Sequence, residues 1–100
     1  MNILKNLDGD KLTVTLEGRL DTTTSPMLEE ELRSALDGVA ELNFDLNALD
    51  YISSAGLRVL LSTQKVMNRQ GKMVLRGVKP EIMEIFEVTG FVDILEIEEA

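Results

Sequence analysis

Hydrophobic and polar residues alternate in two stretches of this chain, as they do in a β-strand that buries one face and leaves the other wet. In residues 11–17, Leu12, Val14 and Leu16 alternate with polar side chains, and residues 41–47 follow the same pattern. Three shorter apolar segments add to these two. The predicted strands are residues 3–7, 11–17, 41–47, 72–76 and 91–95.

Apolar residues spaced three and four apart predict three helices between these strands. The first helix has Ser25 as its predicted N-cap. The second follows the Ser53–Ser54 pair and ends near Gln70, and the third runs from Pro80 to a stop at Gly90. The apolar stripe of the first helix consists of Leu28, Leu32, Ala35, Leu36 and Val39.

The order of elements, β-β-α-β-α-β-α-β, predicts an α/β fold in which a hairpin precedes parallel strands joined by helical crossovers. A strand covered on both faces would be apolar throughout, and the two alternating strands are not. We therefore predict a mixed sheet of four to five strands with helices packed mainly on one face. Residues 1–100 are predicted to form a single domain, with a solvated acidic end at Glu96, Glu98 and Glu99.

Composition excludes several kinds of function. The chain has no cysteine and no histidine, which excludes thiolate chemistry and Ser–His–Asp catalysis. A net charge of −8 disfavours binding to nucleic acid, which is itself negatively charged. No apolar run approaches the roughly 20 residues that span a bilayer, and the first residues enter a strand pattern rather than a secretion signal. We expect a cytoplasmic protein that is not an enzyme and uses no metal, cofactor or membrane.

The most informative segment is residues 50–58, where a predicted strand runs into a predicted helix through two adjacent serines. Backbone N–H groups are unpaired at a helix start, and the helix dipole favours negative charge there. Ser53 or Ser54 can cap the helix, and either can also carry a phosphate. Because Ala55 and Gly56 are small, we expect an open surface beside the hydroxyls. Gly56→Leu is then expected to impair partner binding more than stability.

Three segments resemble the anti-sigma factor antagonists, the single-domain members of the STAS family. They are residues 46–61, the Gly18-Arg19-Leu20-Asp21 motif, and residues 71–75. The resemblance covers nearly the whole chain and implies a sheet with helices on one side. It also implies that the unphosphorylated domain binds an anti-sigma factor that is an ATP-dependent serine kinase. Phosphorylation then releases this partner, and a serine phosphatase resets the switch.

By position, the resemblance implies that Ser54 is the phosphate acceptor. Many members of the family have an aspartate immediately before the acceptor, where this chain has Ser53. Ser53 is therefore an alternative acceptor. The substitution also leaves open a second function, a non-phosphorylated accessory or scaffold STAS domain in a stress-signalling or lipid-transport assembly.

Two charged residues near the serines have alternative roles. Asp21 either belongs to the kinase-facing surface, as the resemblance implies, or begins an Asx-type turn through residues 22–24. Arg58 is expected to be exposed and to pair with Asp50 or Asp21, or to contact a phosphate.

Since edge strands can pair, we expect a monomer or a weak dimer. The predicted partner-binding residues are Asp21, Thr22, Ser53, Ala55, Gly56 and Arg58.

Overall fold

The computed structural model describes residues 1–98, which form one sheet, three α-helices and a short 3₁₀ helix. The strands are β1 (Asn2–Asp8), β2 (Lys11–Leu20), β3 (Glu41–Ile52), β4 (Lys72–Arg76) and β5 (Glu96–Glu98). The helices are α1 (Ser25–Ala35), α2 (Ser54–Gln70) and α3 (Pro80–Thr89). Glu99, part of the predicted acidic end, lies outside the described residues.

The sheet is mixed, and its strands follow one another in space in the order β1-β2-β3-β4-β5. β1 is antiparallel to β2, and each later pair is parallel. A tight turn with Gly9 at φ +65° closes the β1–β2 hairpin. The predicted element order, the mixed sheet and its strand number are confirmed.

The hydrophobic core lies between one face of the sheet and the helices. Leu12, Val14 and Leu16 of β2 are at most 3% exposed, whereas the alternating residues Thr13 and Thr15 are half-buried on the other face. This burial confirms that the helices cover mainly one face. Further buried members of the core are Leu28, Leu32, Leu42, Phe44, Leu46, Leu60, Met67, Met73, Leu75 and Phe86.

Strand β3 extends beyond the predicted residues 41–47. The prediction stopped short because two irregularities interrupt the alternation of buried and exposed residues in the second half of the strand. Pairing shifts between Thr15 and Glu17 of β2, and again between Gly18 and Arg19, so that β3 carries an extra residue at each place. Such bulges bend a strand and re-aim its side chains. As a result the buried residues of this stretch, Leu46, Leu49 and Ile52, are spaced three apart.

The last predicted strand, residues 91–95, is wrong. Gly90 ends α3 with φ +80°, and Phe91–Asp93 forms a 3₁₀ turn instead. The N–H of Leu95 donates to the Phe91 carbonyl at 2.8 Å, which closes this turn. The last strand, β5, begins at Glu96, directly after the predicted segment. The apolar residues 91–95 therefore form a turn rather than a strand. This turn places Leu95 in the core, where it is 5% exposed.

An ionic network ties the N-terminal ends of three strands together. Glu41 of β3 lies between its register partners Lys11 of β2 and Lys72 of β4, with N–O distances of 3.5 and 3.7 Å. The side-chain amide of Asn43 donates to the same carboxylate at 2.8 Å. This hydrogen bond, assisted by the two lysines, holds the pKa of Glu41 below its ordinary value of 4.5.

We expect Glu41→Gln to lower the free energy of unfolding at neutral pH. A carboxylate whose pKa is lowered by folding stabilises the protein above its unfolded pKa, and this contribution is lost as the pH falls through the folded pKa. The difference between wild type and variant should therefore shrink below pH 4.5. Urea denaturation from pH 3 to 8 measures it, with Glu87→Gln as control. A difference that persists unchanged at pH 3 would contradict the ionic explanation.

Candidate functional site

Ser53 is the N-cap of α2, and its hydroxyl has a structural role. Its backbone is extended, and its Oγ accepts a hydrogen bond from the Gly56 N–H at 3.3 Å. The Ser53 N–H donates to the Leu20 carbonyl at 2.9 Å, and the Leu57 N–H donates to the Ser53 carbonyl at 2.9 Å. The residue is half-buried. Ser53 therefore joins the start of α2 to the end of β2.

Ser54 is the first residue of α2, and its side chain is exposed. Within residues 1–98, no side-chain hydrogen bond involves its hydroxyl. The first turn of a helix presents unpaired N–H groups and a partial positive charge, which stabilise an anion placed there. Of the two serines, Ser54 is the one whose hydroxyl is accessible to another molecule.

Asp21 organises the loop between β2 and α1. Its Oδ1 accepts hydrogen bonds from the N–H groups of Thr23 and Thr24, both at 3.0 Å, and Arg19 Nε lies 3.8 Å from Oδ2. The bond from Thr24 is the main reason why the pKa of Asp21 is lowered from 3.8. The predicted Asx-type turn is present. Thr22, in the middle of the loop, is exposed.

The start of α1 differs from the prediction. Its N-cap is Thr24, and Ser25 lies one position later, buried inside the first turn. The Ser25 hydroxyl donates to the Asp21 carbonyl at 2.5 Å, and the Thr24 hydroxyl donates to the Arg19 carbonyl at 2.7 Å. The Thr24 hydroxyl thus ties the loop to the end of β2, and the Ser25 hydroxyl ties the first turn of α1 to the loop.

The loop after β2 and the loop after β3 emerge side by side. Leu20 and Ile52 are paired in the parallel register at the ends of these strands. Asp21 directly follows Leu20, and Ser53 directly follows Ile52. The carboxyl ends of adjacent parallel strands meet at one edge of the sheet, where ligand and partner sites commonly lie in α/β folds. The structure therefore brings Asp21 and the two serines to one edge.

The prediction that Gly56 opens the surface is wrong. Gly56 is buried, and a Cβ built there would lie 2.8 Å from carbon atoms of Leu20 and of Ile52. The glycine instead lets α2 approach the ends of β2 and β3 closely. It faces the core rather than a partner. Of the other small or charged residues of the segment, Ala55 is half-buried and Arg58 is exposed.

The predicted ion pairs of Arg58 are not formed. Asp50 pairs with Lys79 at the start of α3, with 2.6 Å between Nζ and Oδ1, and Asp21 pairs with Arg19. Among the ion pairs of residues 1–98, none includes Arg58. Sequence reasoning missed both of these cations. Arg19 is only two residues from Asp21, whereas Lys79 reaches Asp50 only because the crossover brings the start of α3 to the end of β3.

Tyr51 adds an exposed aromatic ring to the same edge. The guanidinium carbon of Arg19 lies 4.2 Å from the centroid of this ring, a cation–π contact. The two residues are register partners across β2 and β3. Arg19 therefore contacts both Tyr51 and Asp21.

Two further observations limit the chemistry of the described chain. No group of three or more acidic side chains in residues 1–98 is placed to hold a metal ion. Among the helices of this part of the chain, none is both long enough and apolar enough to cross a bilayer.

A mixed sheet with helices mainly on one face is the fold that the resemblance to STAS domains implied. The chain matches the STAS domain family over residues 2–100, and it belongs to this family. It is 40% identical over 96 residues to BtrV of Bordetella bronchiseptica, a candidate anti-sigma factor antagonist, covering 94% of this chain and 82% of that protein. It is 34% identical to the anti-sigma-B factor antagonist of Listeria monocytogenes, covering 97% and 90%.

Solved structures show the same fold. The anti-sigma factor antagonist SpoIIAA in its unphosphorylated form superposes with a TM-score of 0.79 at 14% identity, covering 99% of this chain and 89% of that one. The Bacillus SpoIIAA in its phosphorylated form gives 0.78 at 16% identity, covering 99% and 91%. The predicted STAS fold is confirmed, and the relatives carry the name that the resemblance implied.

We expect Gly56→Ala to destabilise the fold. The added Cβ overpacks Leu20 and Ile52, which costs about 1–3 kcal/mol, and the better helix propensity of alanine returns at most about 1 kcal/mol. Gly56→Leu should lower the melting temperature further. Thermal and urea unfolding measure both variants, with Ser54→Ala as an exposed control. Unchanged stability of Gly56→Leu would contradict the close packing of α2.

Proposed function

We propose that this protein is an anti-sigma factor antagonist controlled by phosphorylation of Ser54. In the unphosphorylated form it binds an anti-sigma factor that has serine kinase activity, and the phosphorylated form releases this partner. A serine phosphatase restores the binding form. The observation that carries the proposal is the exposed Ser54 hydroxyl at the start of α2, in a chain whose relatives are named anti-sigma factor antagonists.

The contacts of the two serines favour Ser54 as the acceptor. The Ser53 oxygen is occupied by the Gly56 N–H, and the residue is half-buried. A kinase that modified Ser53 would have to displace this cap, whose loss typically costs about 1 kcal/mol. Ser54 requires no such rearrangement.

The transfer step uses groups that another protein must provide. The Ser54 oxygen attacks the γ-phosphorus of ATP, an O–P bond forms, and the bond to the β-phosphate oxygen breaks to release ADP. The hydroxyl proton passes to a base. We assign the base and the nucleotide site to the kinase, because this sequence has no histidine and no glycine-rich phosphate loop.

Electrostatic repulsion is sufficient to drive release. A phosphate adds about 1.5 to 2 negative charges. At roughly 6 Å from one partner carboxylate and an effective dielectric of about 20, the repulsion is about 4–5 kcal/mol, or roughly a thousandfold in affinity. The helix start itself tolerates the anion. SpoIIAA, whose fold this chain shares, has been solved in both phosphorylation states. The switch therefore needs no change of fold.

One feature of the sequence supports a second function. Ser53 replaces an acidic residue that many family members have before the acceptor, and it serves here as a helix cap. A domain that has lost phosphorylation would act as a constitutive scaffold with the same surface. This alternative predicts binding without a switch.

We expect Ser54→Ala to bind the cognate kinase persistently in the presence of ATP, because it cannot accept phosphate. Ser54→Asp adds one negative charge and should weaken binding about a hundredfold. Calorimetric titration with the kinase measures both, and Ser62→Asp, which is exposed on the same helix, is the matched control. Equal affinities for all variants would rule out the charge switch.

We expect phosphate from ATP to appear on Ser54 when the protein is incubated with its kinase. Ser53→Ala should still be labelled, and Ser54→Ala should not, because only the exposed hydroxyl is available without disturbing the cap. Peptide mapping by mass spectrometry identifies the site. Phosphate on Ser53 alone would reverse the assignment, and no incorporation at either serine would favour the scaffold.

A further inference from the structure

Arg58 lies one helical turn after Ser54 on α2. It is exposed, and within residues 1–98 it takes part in no ion pair. Its neighbours at three and four residues along the helix carry no charge, so that no acidic group of α2 competes for the guanidinium. These neighbours are Ser54, Ala55, Leu61 and Ser62.

Helix geometry places the Arg58 side chain on the same face of α2 as Ser54. Residues four apart lie on the same face of a helix, with their Cβ atoms about 5–6 Å apart. The Cα–Cβ bonds of a helix tilt toward its N-terminus, so a long side chain leans over the preceding turn. For Arg58 the preceding turn on that face begins with Ser54. The planar fork of an arginine matches two oxygens of a phosphate.

The other cations described at this edge of the sheet already have partners. Arg19 lies against Asp21 and the Tyr51 ring, and Lys79 is paired with Asp50. A phosphate that attracted either one would have to break an existing contact. Arg58 pays no such cost.

We propose that Arg58 is the positioning residue that pairs with the phosphate once Ser54 is phosphorylated. This inference rests on the proposed phosphorylation of Ser54. In the unphosphorylated protein the guanidinium is available to a carboxylate of the partner. After modification it is held by the phosphate, so that one event both adds negative charge to the surface and withdraws a positive group from it.

The test uses protein in which phosphoserine is incorporated at position 54 during synthesis, so that no kinase is needed. The wild-type chain, Arg58→Gln and Arg58→Lys are compared with and without the phosphate. Arg69→Gln is the matched control, since it removes the same charge from an exposed position of α2 that lies about 22 Å from Ser54 along the helix axis.

We expect the phosphate to raise the melting temperature of the wild-type protein by about 4–8 °C at low salt. The rise should fall by at least half in Arg58→Gln, be intermediate in Arg58→Lys, and be unchanged in Arg69→Gln. Phosphorus NMR titration supplies a readout that a merely structural role would not move. The second phosphate pKa should be lower in the wild type than in Arg58→Gln.

An equal rise in melting temperature and an equal phosphate pKa in wild type and Arg58→Gln would overturn the inference. The proposed switch fails by a different measurement. If the phosphoserine protein bound the kinase as tightly as the unmodified protein, phosphorylation control would be wrong, whatever the pairing of Arg58.

Discussion

The close approach of α2 to the carboxyl ends of β2 and β3 is the constraint on which the site depends. Gly56 makes this approach possible, because any side chain there would collide with Leu20 and Ile52. The hydrogen bond from Ser53 to the Leu20 carbonyl fixes the same junction from the other side. Together these contacts set where the helix starts, and hence which of the two serines faces outward.

This junction gives the two adjacent serines different roles. Ser53 is held by three hydrogen bonds of its backbone and side chain, while Ser54 takes the first helical position with its hydroxyl exposed. An anion added at Ser54 meets a helix start that already favours it, so that the scaffold need not move. A modification can then alter a binding surface without altering the fold beneath it.

The alternation of apolar and polar residues in 11–17 was enough to predict a sheet with helices on one face. In a strand, alternate side chains point to opposite faces, so one apolar face and one polar face indicate a sheet covered on one side. The far half of β3 escaped prediction because two bulges change the spacing of its buried residues from two to three. The serine pair was found from the sequence because a helix start is a local feature. The role of Gly56 was misjudged because one of the two side chains that it packs against, Leu20, is distant in the chain and adjacent only in the folded protein.

Local pairing explains why one new charge can matter in a chain whose net charge is −8. Exposed charges interact weakly beyond a Debye length of about 8 Å at physiological salt, so the acidity of the whole chain contributes little at the site. Near the serines, Asp21 and Asp50 are each matched by a cation. A phosphate on Ser54 would therefore add its charge to a surface on which these two carboxylates are already paired. The charge that an approaching partner meets then depends on the phosphate and on Arg58, one helical turn further along α2.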